Sequence, residues 1–310
     1  MLKKSRTARE NAFNLLIIFA MLTVAFGCVC GGNFGNNQSS NKTTSDNSKQ
    51  PLANTSSKKS SKKGDTKSDT TKKSQAPDNG DFLVEYVEVQ DTRYQKINDD
   101  LRQEKVLESA ARDLNKSLAL PYDITLVTRD CGQVNAFYNP EDHSVTLCYE
   151  LLDNFYTLFK KTGRGDTEAT QDMFDAAQFV FLHELGHALI DAYKLPIAGR
   201  EEDAADGLST YICLEELRDN GARSTIAAAE LFGLQAKSSS SQDLPFYDEH
   251  SLDQQRFYNL LCSLYGKDPD KYESLVTKGL LPKPRAVRCS DEYQKLTGTW
   301  TQLLATYRKQ

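Results

Sequence analysis

After its first 30 residues the chain has no apolar run near the about 20 residues that a membrane-spanning helix needs, and its mean hydropathy is −0.57. A polytopic membrane protein is thereby excluded. Positive charge is in the minority in the body of the chain. Residues 1–30 carry four basic side chains and one acidic, and residues 31–80 carry nine Lys and four Asp, which leaves 25 basic against 38 acidic groups in residues 81–310, a net charge of −13. A body that binds nucleic acid is excluded, because neutralising phosphates needs Lys and Arg gathered on one face. Apolar residues are missing from 31–80, where only Phe34, Leu52, Ala53 and Ala76 interrupt the Ser, Thr, Asn, Lys and Gly. That segment cannot bury enough surface to offset its ordering entropy and reads as a disordered tether. No CxxC pair occurs after residue 80, which argues against a Cys-rich zinc site, and no internal repeat is apparent.

What is present begins with Lys3, Lys4, Arg6 and Arg9 ahead of the apolar stretch 15–26, the layout of a secretory signal and short for a membrane span. The sequence Ala25-Phe26-Gly27-Cys28 resembles a bacterial lipobox, which implies that Cys28 is the lipidated first residue of the mature chain. Cys30 is a second candidate, and an uncleaved anchor or plain signal cleavage stays open. Each route exports the protein, to the bacterial cell surface or periplasm. The expected organisation is a signal peptide at 1–27, a lipid-anchored Ser/Thr/Lys-rich linker at 28–80 and one acidic domain at 81–310.

Within that domain, residues 82–89 are β-branched and aromatic and read as a strand. A helical pattern follows over 91–118 and stops at Pro121. Residues 124–128 read as a strand. Residues 134–138 and 144–149, joined by Asn139-Pro140-Glu141-Asp142, read as a hairpin with His143 facing solvent. Helices are expected at 150–161, 167–194, 201–219, 224–236, 252–266 and 290–308, with breaks at Gly163, Pro196, Gly221, the serine run 238–241, Pro282 and Pro284. A small sheet early and helices late make an α+β order.

The chemistry is concentrated in His183-Glu184-Leu185-Gly186-His187, set inside an apolar helical segment. Residues four apart share a helix face, so His183 and His187 can direct ring nitrogens at one ion, while Glu184 lies one step round and can reach a water at that ion. Glu184 would otherwise be a charge buried without a partner, which costs several kcal/mol. A third ligand is expected on the next helix, where Glu202 and Asp206 are also four apart. One is placed to ligate and the other to accept the N–H of a ligand imidazole, while Glu201 and Asp203 point elsewhere and favour the helix N-terminus.

HExxH followed by ExxAD resembles the gluzincin metallopeptidases. That resemblance maps the metal ligands onto His183, His187 and Glu202 and the supporting Asp onto Asp206. The wider run, from Asn135-Ala136-Phe137-Tyr138-Asn139 and Cys148-Tyr149-Glu150-Leu151 to Arg200-Glu201-Glu202-Asp203-Ala204-Ala205-Asp206, is similar to the bacterial "putative metallopeptidase" family over residues 82–308. It implies a zincin-like fold, Zn2+ as cofactor and a peptide or protein substrate whose backbone pairs with the strand Asn135, Ala136, Phe137. The step from His187 to Glu202 is shorter than in thermolysin-like enzymes. In the implied reaction zinc lowers the pKa of its water towards about 7 and polarises the scissile carbonyl. Glu184 takes the water's proton and passes it to the leaving amine. His250 is the candidate donor to the oxyanion, with Tyr247 and Arg256 behind it.

An exported domain meets oxidant, so cysteines should pair. Cys131 precedes one hairpin arm and Cys148 ends the other, so they can bridge. Cys262 with Cys289 would tie the C-terminal helices, which leaves Cys213 as a buried thiol. The competing reading is a catalytically inactive zincin-like surface scaffold that holds zinc structurally. A fourth protein ligand closing the site would favour it.

Overall fold

The computed structural model describes residues 75–238 and 247–309. The expected signal peptide, the lipidation at Cys28, most of the linker and the serine run past Ser238 lie outside the described residues.

Four strands form one mixed sheet. β1 (Phe82–Tyr86), β2 (Ile124–Arg129), β3 (Ala136–Asn139) and β4 (Ser144–Cys148) lie in the order β1-β2-β4-β3. β1 and β4 flank β2 in parallel, and β3 pairs antiparallel with β4 as the hairpin's outer arm. The inner strands are the apolar ones: Ile124, Leu126 and Val145 are buried, whereas every residue of β3 is half-exposed. β3 is an edge strand of the sheet, and the more exposed arm of the hairpin. His143, in the hairpin turn, does not face solvent freely. It takes a left-handed φ of 53° and stacks on Tyr122 with ring centroids 3.9 Å apart.

The helical pattern over 91–118 is not one helix. Asp91 caps a short 3-10 turn (Thr92–Tyr94) that runs into α1 (Gln95–Gln103), and α2 (Val106–Ser117) starts after Lys105, whose φ of 52° breaks the ladder. Each half buries its own apolar stripe, Leu101 under one and Leu107, Ala110 and Leu114 under the other. The strand expected to reach Val89 stops at Tyr86. At the other end, Ala76 to Gly80 are tied to the domain, with the Asn79 and Gly80 amides donating to the Leu120 carbonyl and Asp78 paired with Lys309 at 2.6 Å.

α3 (Tyr149–Lys160) leads into α4 (Asp166–Tyr193), a 28-residue helix with buried residues along its whole length. A helix apolar all round belongs in the middle of a domain, and α4 packs against the sheet edge, α3 and the next two helices. α5 (Glu201–Tyr211) ends in a π turn (Ile212–Glu216), and α6 (Arg218–Ser238) begins well before the expected 224. Gly221, an expected break, lies inside α6. A Cβ there would stand 2.0 Å from the Cys213 carbonyl oxygen, so the glycine permits close packing and does not end a helix. α7 (Asp253–Lys267), the short α8 (Glu273–Thr277) and α9 (Lys283–Ala286), and α10 (Cys289–Leu304) complete the chain. Disulfides join Cys131 to Cys148 and Cys262 to Cys289, and Cys213 is a buried free thiol. The architecture is mixed α/β, a small four-stranded sheet with a mostly helical remainder.

Candidate metal centre

One face of α4 forms the floor of a cleft of about 850 Å³. The residues Val180, His183, Glu184, His187, Ile190, Asp191 and Lys194 line it in turn, at the three- and four-residue steps that share a helix face. β3 supplies one wall, while α5 and the start of α7 supply the other. Gly186 sets how closely that second wall approaches. A Cβ on it would stand 3.0 Å from Ala205 Cα, so a larger residue would push α5 away. Because Gly186 lies between the two histidines and Ala205 between Glu202 and Asp206, this small contact carries the acidic residues to the imidazoles.

The Nε2 atoms of His183 and His187 are 3.2 Å apart. Glu202 brings one carboxylate oxygen to 3.0 Å from His183 Nε2 and the other to 3.4 Å from His187 Nε2. The ligand atoms of these three residues all lie within 4.8 Å of one another. Two donors at about 2.0 to 2.1 Å from a tetrahedral ion stand roughly 3.3 Å apart, so the spacing fits one cation. The remaining nitrogens are held by carboxylates: His183 Nδ1 by Asp206 at 2.8 Å and His187 Nδ1 by Glu201 at 2.8 Å. Such partners fix ring orientation and raise ligand basicity. Glu201 thus faces the site, not away from it as the sequence suggested. Asp203 does turn elsewhere and accepts from the Ser251 hydroxyl.

Charge balance points to the same chemistry. Burial opposes ionisation of Glu202, yet hydrogen bonds from His183, His187 and His250 hold its carboxyl far below the usual range. Asp206 is likewise penalised by burial and rescued by Arg256 and His183. Burial disfavours a proton on His187, but Glu202 and Glu201 lift its pKa to about 9. Four carboxylates, Glu184, Glu201, Glu202 and Asp206, face three imidazoles, His183, His187 and His250, and one guanidinium, Arg256. A divalent cation would supply the charge that protons otherwise provide.

Glu184 is 8% exposed and burial raises its pKa. One of its oxygens accepts the main-chain N–H of Tyr138 on β3 at 3.0 Å. Asn135, Ala136 and Phe137 line the cleft beside it. His250 stands at the mouth, with Nδ1 3.0 Å from Asp248 and Nε2 2.9 Å from the Glu202 oxygen that also faces His183. Its grouping is with Glu202 and Glu249, outside the three-residue cluster.

Neither of the two candidates ranked after His250 as oxyanion donor is placed for that role. Tyr247 is 93% exposed and does not line the cleft. Arg256 is committed elsewhere: its Nε and one terminal nitrogen bond both Asp206 oxygens, at 2.8 and 2.7 Å, and its guanidinium lies over the Phe232 ring. It supports His183 through Asp206. Sequence spacing could not show this, because the pair is fifty residues apart. Helix start and HExxH step together could have suggested Glu201.

Upstream of the histidines the cleft is apolar, lined by Leu151 and Phe155 of α3, Val180 of α4, and Leu231 and Phe232 of α6. A family model described as "Putative metallopeptidase" matches residues 86–304. No curated protein and no solved structure matches the chain.

Proposed function

The chain belongs to the "Putative metallopeptidase" family, whose model spans well over half of it, and on that premise we propose that it is a zinc-dependent peptidase of the gluzincin type with a zincin-like fold. The observation that carries the reading is the convergence of His183, His187 and Glu202, with each imidazole's second nitrogen already held by a carboxylate. Two imidazoles and one carboxylate form a donor set that suits catalytic zinc. Zinc, when bound there, polarises a scissile carbonyl and lets water lose a proton near neutral pH.

The chain's own residues do the rest. Glu184 takes the proton of the attacking water and returns it to the leaving amine. Burial raises its pKa, which suits a group that must both accept and release a proton near neutral pH. His250, oriented through Nδ1 by Asp248, turns its Nε2–H from Glu202 towards the oxyanion. The edge strand β3 pairs with the substrate backbone, the mode in which main-chain bonds bind and side-chain pockets select. The apolar end of the cleft receives an apolar substrate side chain. An exported, lipid-anchored enzyme is part of the proposal, and two disulfides support an oxidising compartment. Loss of fatty-acid labelling in Cys28→Ser tests the anchor.

The decisive experiment measures metal content and cleavage of a peptide library for wild type and Glu184→Gln. Equimolar zinc in both, with cleavage by wild type alone, is expected. Undiminished turnover in the variant, or wild type without metal, would overturn the reading.

A further inference from the structure

Among the described residues β3 has one neighbour in the sheet, β4, so half of its main-chain groups face outward. The ladder decides which half. The Cys148 amide donates to the Asn135 carbonyl, and the register pairs Ala136 with Leu147, Phe137 with Thr146 and Tyr138 with Val145. Hydrogen-bonded and non-hydrogen-bonded pairs alternate along an antiparallel ladder. Asn135, Phe137 and Asn139 therefore turn their polar groups to β4, while Ala136 and Tyr138 turn theirs out to the cleft.

These two outward positions are not equivalent. The Tyr138 N–H is already used by Glu184 at 3.0 Å, and the Tyr138 phenol donates to Asp191 at 2.8 Å. Glu184 and Asp191 are seven residues apart, two turns of α4 on one face. Tyr138 thus spans those turns and clamps the strand to the helix at both ends. Releasing its N–H would strip a polar partner from a carboxylate that is 8% exposed, which is costly for a buried charged group. A substrate strand gains little by displacing that contact and finds the outward N–H and C=O of Ala136 beside it.

We propose that Tyr138 is a positioning residue whose main-chain N–H orients Glu184 and whose phenol anchors the strand on Asp191, so that a bound peptide pairs with β3 through Ala136. This rests on the peptidase reading above, and the first test below does not need catalysis. Amide exchange followed by NMR should find the Tyr138 N–H protected in the ligand-free protein and at least tenfold faster in Glu184→Ala, with Ala136 unchanged. Equal exchange at Tyr138 in the two proteins would sink the clamp whether or not any peptide is cut.

The second test uses a peptide cleaved by wild type. Proline removes an N–H and is tolerated at an edge position whose N–H lies outside the ladder. Tyr138→Pro should lower kcat at least tenfold with KM within threefold, and Ala136→Pro should raise KM at least tenfold with the smaller effect on kcat. The opposite assignment, KM rising in Tyr138→Pro, would show that the substrate uses that amide and would overturn the proposal. Tyr138→Phe keeps the N–H and should lose less kcat than Tyr138→Pro.

Discussion

Asp175 and Glu184 sit on the same helix, are 4% and 8% exposed, and have their pKa values raised first of all by burial. Nine residues at 3.6 per turn place them on opposite sides of α4. Asp175 faces α6, where Arg223 comes within 3.7 Å and Gln178 is bonded to Ser224. Glu184 faces the cleft, with a strand amide on one oxygen and two imidazoles beside it. A perturbed carboxyl is thus common to both sides of the helix, and only one side has anything to act on. The shift marks burial. The convergence of other groups marks function.

The strongest way to break this comparison is to neutralise both carboxyls in turn. Glu184→Gln should lower kcat/KM by about 10²–10⁴-fold, the range for losing a general base, while keeping metal and thermal midpoint. A loss of folding instead would make Glu184 a structural group and not a general base. Next in size is removal of the ion. Chelation should abolish cleavage and lower the midpoint, because an ion held only by the folded state at 100 times its Kd contributes about 2.7 kcal/mol. His183→Ala should reproduce the chelated state and resist rescue by added zinc. An unchanged midpoint on chelation would mean that the cleft holds no cation.

Much of the active side of α4 was legible because its logic is local. The four-residue step in His183/His187 and again in Glu202/Asp206 follows from helix geometry, and the cysteine pairs followed from their places at the ends of expected elements. The remainder depends on contacts distant in sequence. Nothing near Asp206 signals that Arg256 will reach it, or that the Tyr138 amide will meet Glu184 from a strand. Gly221 misled for a related reason: its role is set by the Cys213 backbone pressed against it, not by its propensity to end helices. Lys105 and Arg218 take left-handed φ values of 52° and 53° with no glycine to announce them. The parallel pairing of β1, β2 and β4 is also non-local and has no sequence period of its own.

The disulfide from Cys131 to Cys148 sharpens the contrast at the cleft side, since it closes a 17-residue separation that contains β3. Mass mapping of the oxidised domain should recover these two cysteines joined. Replacing both by Ser should cost roughly 3 kcal/mol of stability by loop-closure entropy and should also impair cleavage, because the cleft wall lies within the loop. A stability loss with cleavage intact would show that the β4 ladder and the clamp of Tyr138 on α4 hold β3 without the disulfide.

The smallest effect is on the far side of the helix. Burial holds Asp175 up to about 6, with Arg223 pulling the other way. In the unfolded chain it would ionise near 3.9, so the unfolded state gives up this proton first as pH rises. Stability from this group is therefore present below about pH 4 and is lost as pH climbs through 6, by at most about 3 kcal/mol for a shift of roughly two pKa units. Asp175→Asn removes that loss. Unfolding free energies from denaturant titration should match wild type at pH 4 and exceed it at pH 7.5 by about 1–3 kcal/mol, with kcat/KM untouched. If the variant is instead weaker at pH 7.5, the pair with Arg223 outweighs burial. Asp175 and Glu184 would then differ in partner and not in principle.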